Sequence, residues 1–213
     1  MRGYQFKRII ETTLRKLESN MSKSKFKIRA IKWESIQTAQ ISPSSSGFII
    51  SLADVTDSSI IKPALLDKYL GFVIHELLHA LYSDWKPQAN TEYLRQMFNA
   101  VEDVWIERKA VNNMLLGNIE NVLKKTIDIM IVKANDSGID WAEPESYPFA
   151  FACYGRRYAN RVPLAWGLEP IFKQANDKID TALCSADCLT IAQWIIDQLN
   201  MFEDGGQGKP QSS

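Results

Sequence analysis

Histidine is nearly missing from this chain. Its 213 residues include two, and both fall in one short stretch, VIHELLHALY at positions 73–82. Cysteine is almost as scarce. Cys153, Cys184 and Cys188 are odd in number and loosely spaced, which speaks against a disulfide framework and for a reducing compartment. Cys184 and Cys188 stand at i, i+4, a spacing that suits a metal on a helix. No further cysteine or histidine is at hand to complete a tetrahedral site, so they read as small buried hydrophobes. Net charge is also absent: 25 basic residues balance 25 acidic ones, which removes any bulk attraction for nucleic acid or anionic lipid. Only the local run KSKFKIRAIK favours nucleic acid, so that class of partner is not expected. No apolar run approaches the roughly 18 residues of a membrane span. The N-terminus, MRGYQFKRIIETTLRKLESN, has neither the apolar core nor the small-residue cleavage site of a secretory signal. A cytoplasmic protein with no membrane partner is the expectation.

The composition, 46% hydrophobic and 23% charged, is enough to build one good-sized globular domain. Periodicity points to an α+β fold in three parts. Phe6, Ile10, Leu14 and Leu17 recur at helical spacing, so residues 3–20 read as an amphipathic helix packed on the body. KFKIRAIKWESIQTAQI and GFIISLADV read as strands, with SPSSSG as the turn between them, giving a small antiparallel sheet of two to three strands over 25–54. From Pro63 the text is helical. One helix runs through ALLDKYLGFVIHELLHALYSDW, and KPQANTEY breaks it. Asn90 or Thr91 can cap the next helix, which carries YLRQMFNAVEDVWIERKAVNNMLL. Further helices are expected over about 118–134, 147–160, 168–180 and 185–201. EDGGQGKPQSS reads as a flexible tail or the start of a linker, leaving a single domain over 1–203 and a tail over 204–213.

The histidine-bearing stretch contains HExxH. Residues four apart on a helix share one face, so His75 and His79 can aim two imidazole nitrogens at one Zn²⁺. Glu76 is offset by one residue and can act as general base toward water at the open coordination position. A chance match in a chain of this length is expected in fewer than about one case in a hundred. Phe72, Val73, Ile74, Leu77, Leu78, Ala80 and Leu81 surround the motif, as in a buried helix. Two imidazoles and a carboxylate are costly there unless paired or bound to metal.

Two histidines leave a catalytic zinc site one protein ligand short. No third histidine exists, so the last ligand must be a carboxylate or a cysteine. The next helix offers Glu102, Asp103 and Glu107 in FNAVEDVWIERKA. Glu102 falls at the edge of the apolar face, one turn from Phe98 and near Trp105. Asp103 lies on a second face, in line with Asn99 and Glu107.

HExxH followed by acids on the next long helix resembles the gluzincin type of zincin metallopeptidase. More specifically, HELLHALYSDW and FNAVEDVWIER look like the matching segments of CobT-like, von Willebrand A-associated metallopeptidase domains of bacteria and phages. Trp105 departs from that pattern, standing where many relatives have arginine. The resemblance implies a zincin-like fold and a carboxylate third ligand with another acid four residues later, which orients the first histidine. Asp103 with Glu107 fits this rule, whereas Glu102 has Ile106 at the corresponding place. Asp103 is therefore the expected ligand, Glu102 its rival, and Glu107 the outer acid, since a ligating histidine usually donates its other N–H to a carboxylate.

The expected activity is hydrolysis of a polypeptide at a single Zn²⁺ with Glu76 as general base. An oxyanion developing on the scissile carbonyl would need one further donor, and FACYGRRYANR offers Tyr154, Arg156, Arg157 and Tyr158 for it, with Tyr154 or Arg157 the best placed. Residues 46–54, directly before the HExxH helix, are the expected strand edge for an extended peptide. The alternative is a catalytically silent, peptidase-like adaptor working with a von Willebrand A module or an AAA+ ATPase. Glu76 argues against it, because a structural site has no use for a carboxylate that ligates nothing.

Overall fold

In the computed structural model, the described residues are 1–20, 27–36, 39–113, 119–159 and 161–204. Their elements follow the order α1 (Gly3–Asn20), β1 (Ile28–Glu34), β2 (Gln40–Ser44), β3 (Gly47–Ala53), α2 (Pro63–Tyr82), α3 (Glu92–Asn113), α4 (Glu120–Asp136), α5 (Tyr147–Gly155), α6 (Leu168–Ile179) and α7 (Ser185–Asp204). A short 3-10 turn, Pro144–Ser146, leads into α5. The class is α+β, as the periodicity predicts. Lys25, Phe26, Gln37 and Thr38 of the first expected strand, residues 114–116 at the end of the helix expected after the HExxH helix, and all of the tail except Asp204 lie outside the described residues. No helix among the described residues is long and apolar enough to cross a membrane. Contacts divide the chain, read from sequence as one domain, into two units. Met1–Ser83 with Ile106–Val132 forms the first, and Asp84–Trp105 with Lys133 onward forms the second. Of the three boundaries along the chain, one falls inside α3 and one inside α4.

In the first unit the sheet has the order β1-β3-β2, with β1 parallel to β3 and β2 antiparallel to it. The antiparallel sheet expected from sequence is thus a mixed one. The reason lies in composition. β3, GFIISLA, carries no charge and takes the middle. β1 bears Arg29, Lys32 and Glu34, and β2 bears Pro43, which lacks an N–H; charge and proline are tolerated at edges. β2 and β3 form a local hairpin closed by Ser44 opposite Gly47. β3 is therefore paired on both sides, and the strand edge expected at 46–54 does not exist there. The edge strand beside α2 is β2.

The core of this unit joins the sheet to α1 and α2. Phe6, Ile10 and Leu14 of α1 are fully buried with Ile28, Ile41, Ile50 and Leu52 of the strands and Val73 and Leu77 of α2. Each such side chain contributes about 1.5–3 kcal/mol when fully buried. The Tyr69 hydroxyl donates to the Ala53 carbonyl at 2.9 Å and ties α2 to the end of β3. Pro63 occupies the first turn of α2, where a missing N–H costs nothing. Gly71 lets α4 approach closely, since a Cβ there would overlap Thr126. Facing Val73 and Leu77 to the core fixes the rest of α2. His75 is two residues past Val73, roughly 200° around the helix, so the HExxH face points away from the sheet. The helix is not buried on all sides as expected: Gly71, Val73, Leu77 and Leu78 are buried, while His75, Glu76 and His79 are half-buried.

In the second unit α3 begins at Thr91, whose Oγ1 accepts from the Leu94 N–H at 3.1 Å, one of the two caps foreseen. α5 packs against α3 at Gly155, where a Cβ would come within 2.6 Å of Val104. Trp105 is buried and its indole N–H donates to the Ala182 carbonyl at 3.0 Å. That bond gives a physical reason for tryptophan at the position where the resemblance expects arginine. The three cysteines are thiols, with Cys153 and Cys188 buried and Cys184 half-buried. Burial pushes the Cys188 thiol well above its ordinary range, with the charges of Glu102 and Asp187 adding to the shift.

Candidate metal centre

The two histidines project from successive turns of α2 with ring centroids 4.8 Å apart and rings nearly perpendicular. Their Nε2 atoms face each other at 3.3 Å. The far side of each ring is held by a different group. His75 Nδ1 meets Oε1 of Glu107 at 2.8 Å, and Glu107, on α3, is 3% exposed. His79 Nδ1 meets the Ser83 hydroxyl at 3.0 Å, and Ser83 is the residue that ends α2, its N–H donating to the His79 carbonyl at 2.9 Å.

The first of these contacts sets the tautomer of His75. A carboxylate only accepts, so His75 Nδ1 carries the hydrogen, and in the neutral ring Nε2 is then a lone pair. The Ser83 hydroxyl can accept from or donate to His79 Nδ1, and with His79 Nε2 also a lone pair the two nitrogens can share one cation. Two ligands at about 2.0–2.1 Å from a tetrahedral zinc are separated by about 3.3 Å. The spacing of the histidine pair therefore fits this ion. Among the described residues, His75, His79 and Asp103 form a group whose potential ligand atoms all lie within 4.8 Å of one another. Two imidazole nitrogens and one carboxylate oxygen form a donor set suited to zinc.

α3 explains why Asp103 takes part. Asp103 and Glu107 are four residues apart on this helix, hence on one face. With Glu107 fixed on His75, the preceding turn of the same face carries Asp103. Glu102, the rival ligand, is rotated by one residue and buried, and its charge acts on Cys188 instead. It is not part of the histidine group. The Asp103 carboxylate meets Arg156, just past the end of α5, with Nη2 3.4 Å from Oδ2.

Tyr154 and Arg157, the residues expected to stabilise an oxyanion, have other neighbours. Tyr154 packs on Phe172 with centroids 5.8 Å apart, and burial raises its hydroxyl above the usual range, with Glu169 contributing. Arg157 pairs with Asp180 at 2.6 Å on the surface. Both line a cleft of about 640 Å³ between α5 and α6, together with Arg156, Arg161, Glu169 and Lys173. Glu76 is half-buried on α2, beside His75. Two contacts are not foreseen by the sequence: that of Ser83 with His79, and that of Arg156, one of the oxyanion candidates, with Asp103. Ser83 stands one turn beyond His79, a spacing that a search for polar residues at i+4 would have found. Arg156 is one of three arginines in FACYGRRYANR, and burial alone distinguishes it.

No protein-family model, curated protein or solved structure matches this chain.

Proposed function

We propose that this protein is a zinc-dependent metallopeptidase of the gluzincin type, with a zincin-like arrangement akin to the CobT-like domains. One observation carries the reading: the histidine pair at zinc-ligand spacing, with an acid within reach and a buried carboxylate on His75 Nδ1. His75, His79 and Asp103 would hold the ion, and Glu107 orients His75. When bound, zinc supplies Lewis acidity toward a carbonyl and lowers the pKa of water. The protein's own work is then proton transfer and alignment. Glu76 takes a proton from the attacking water and passes it to the departing amine. Half-burial of the motif leaves a peptide access to it. An extended substrate adds to the edge strand β2, the strand beside α2, through backbone pairing. Pro43 removes one donor from that strand, so pairing there is short.

Zinc content and proteolysis of the wild type and of Glu76→Gln test the reading. We expect one zinc per chain in both proteins and a loss of about 10²–10⁴-fold in cleavage of a denatured protein mixture in the variant. Equal, background-level cleavage in two zinc-loaded proteins would leave the adaptor role in its place.

A further inference from the structure

We propose that Arg156 is a positioning residue that holds Asp103 by one carboxylate oxygen so that the other faces the metal. The inference rests on the zinc reading above and deepens it. Arg156 is buried, with 7% of its surface exposed, an unusual state for a guanidinium without a fixed task. Its fork is engaged at both ends. Nη1 donates to the Ala152 carbonyl at 3.2 Å, and Nη2 lies 3.4 Å from Asp103 Oδ2. The first bond folds the side chain back onto the last turn of α5, where a cation is favoured by the exposed carbonyls. The Arg156 N–H donates to the same carbonyl at 3.3 Å, so backbone and side chain are anchored at one point. The neighbouring residue, Gly155, sets the approach to α3, because any Cβ there would strike Val104, which directly follows Asp103. The crossing of α5 over α3 thus presents Arg156 to Asp103 by design of the backbone.

A common pattern supports the assignment. Each candidate ligand has an outer partner drawn from a different place: Glu107 for His75, Ser83 for His79 and Arg156 for Asp103. Ligand orientation by such partners is worth about 10–100-fold in metal affinity. A guanidinium on Oδ2 favours coordination through Oδ1 alone. Without it, the carboxylate is able to turn and bind through both oxygens.

Arg156→Gln and Arg156→Lys in the full chain test this. The readouts are zinc affinity by competition with a chromogenic chelator and the visible spectrum of the Co²⁺-loaded protein. Arg156→Gln is expected to bind zinc about 10–100-fold more weakly, with fainter cobalt bands as the coordination number rises. Arg156→Lys keeps the charge but cannot make both contacts, so it should fall between. A purely structural ion pair would lower the unfolding temperature of the metal-free variant and leave zinc affinity and cobalt spectrum at wild-type values. That result overturns the proposal while the zinc reading stands. A wild type that binds neither ion stoichiometrically overturns both. If Arg156→Gln does not fold, Arg156→Lys decides alone: weaker zinc with an altered spectrum supports the assignment, and wild-type values refute it.

Discussion

His75 and His79 sit one turn apart on α2, yet the two ends of the motif are supported in different ways. The His75 end leans on Glu107, a carboxylate whose side chain is 4% exposed and whose oxygen lies 2.8 Å from the ring. The His79 end leans on a neutral hydroxyl, Ser83, supplied by the turn that closes the same helix. The first support comes from another helix and is charge-assisted, which makes it roughly twice as strong as a neutral contact. It also depends on how α2 and α3 pack, so it reports tertiary structure. The second is local and survives as long as the helix end does. HExxH thus specifies where two imidazoles go, while their anchoring comes from unequal partners outside the motif.

The largest effect is expected from removing a ligand. His75→Ala and Asp103→Ala should each abolish stoichiometric zinc, measured by metal analysis of the purified chains. His75→Ala should also destabilise the first unit, because it takes the 2.8 Å partner from a buried carboxylate. Next comes Glu107→Gln, expected to weaken zinc about 10–100-fold while leaving one ion per chain. Ser83→Ala should cost less, about 2–10-fold, in line with a neutral hydrogen bond worth about 0.5–1.5 kcal/mol. Equal losses from Glu107→Gln and Ser83→Ala, read by chelator competition, would erase the difference between the two ends. The smallest effect is expected from Glu102→Gln, which should leave zinc affinity within about twofold. Any loss comparable to that of Asp103→Ala would return Glu102 to the ligand set.

The helices were legible because their apolar residues recur at a clear period. Phe6, Ile10 and Leu14 are at 0% exposure, and α1 occupies the expected 3–20. The candidate site was legible through spacing: the i, i+4 rule pairs His75 with His79 and Asp103 with Glu107, and the structure brings both pairs to one place. The sheet was harder. Its hairpin is local, but the parallel pairing of β1 with β3 joins strands separated by β2, and strand period alone carries no information about such a partner. Pro43 held the missing clue, since a proline strand belongs at an edge and leaves the apolar GFIISLA for the centre. The contact of Arg156 with Asp103 was hidden for another reason. Three arginines in one short segment look alike until packing buries one of them, and Arg157 next to it ends on the surface with Asp180.

In the proposed site the two histidines of this chain and an acid from α3 hold one zinc. X-ray absorption at the zinc edge of the full, zinc-loaded chain tests it most directly. One zinc per chain with two imidazole nitrogens and otherwise oxygen donors is expected. A chain that retains no zinc, or a sulfur shell that brings Cys184 or Cys188 to the metal, would contradict it.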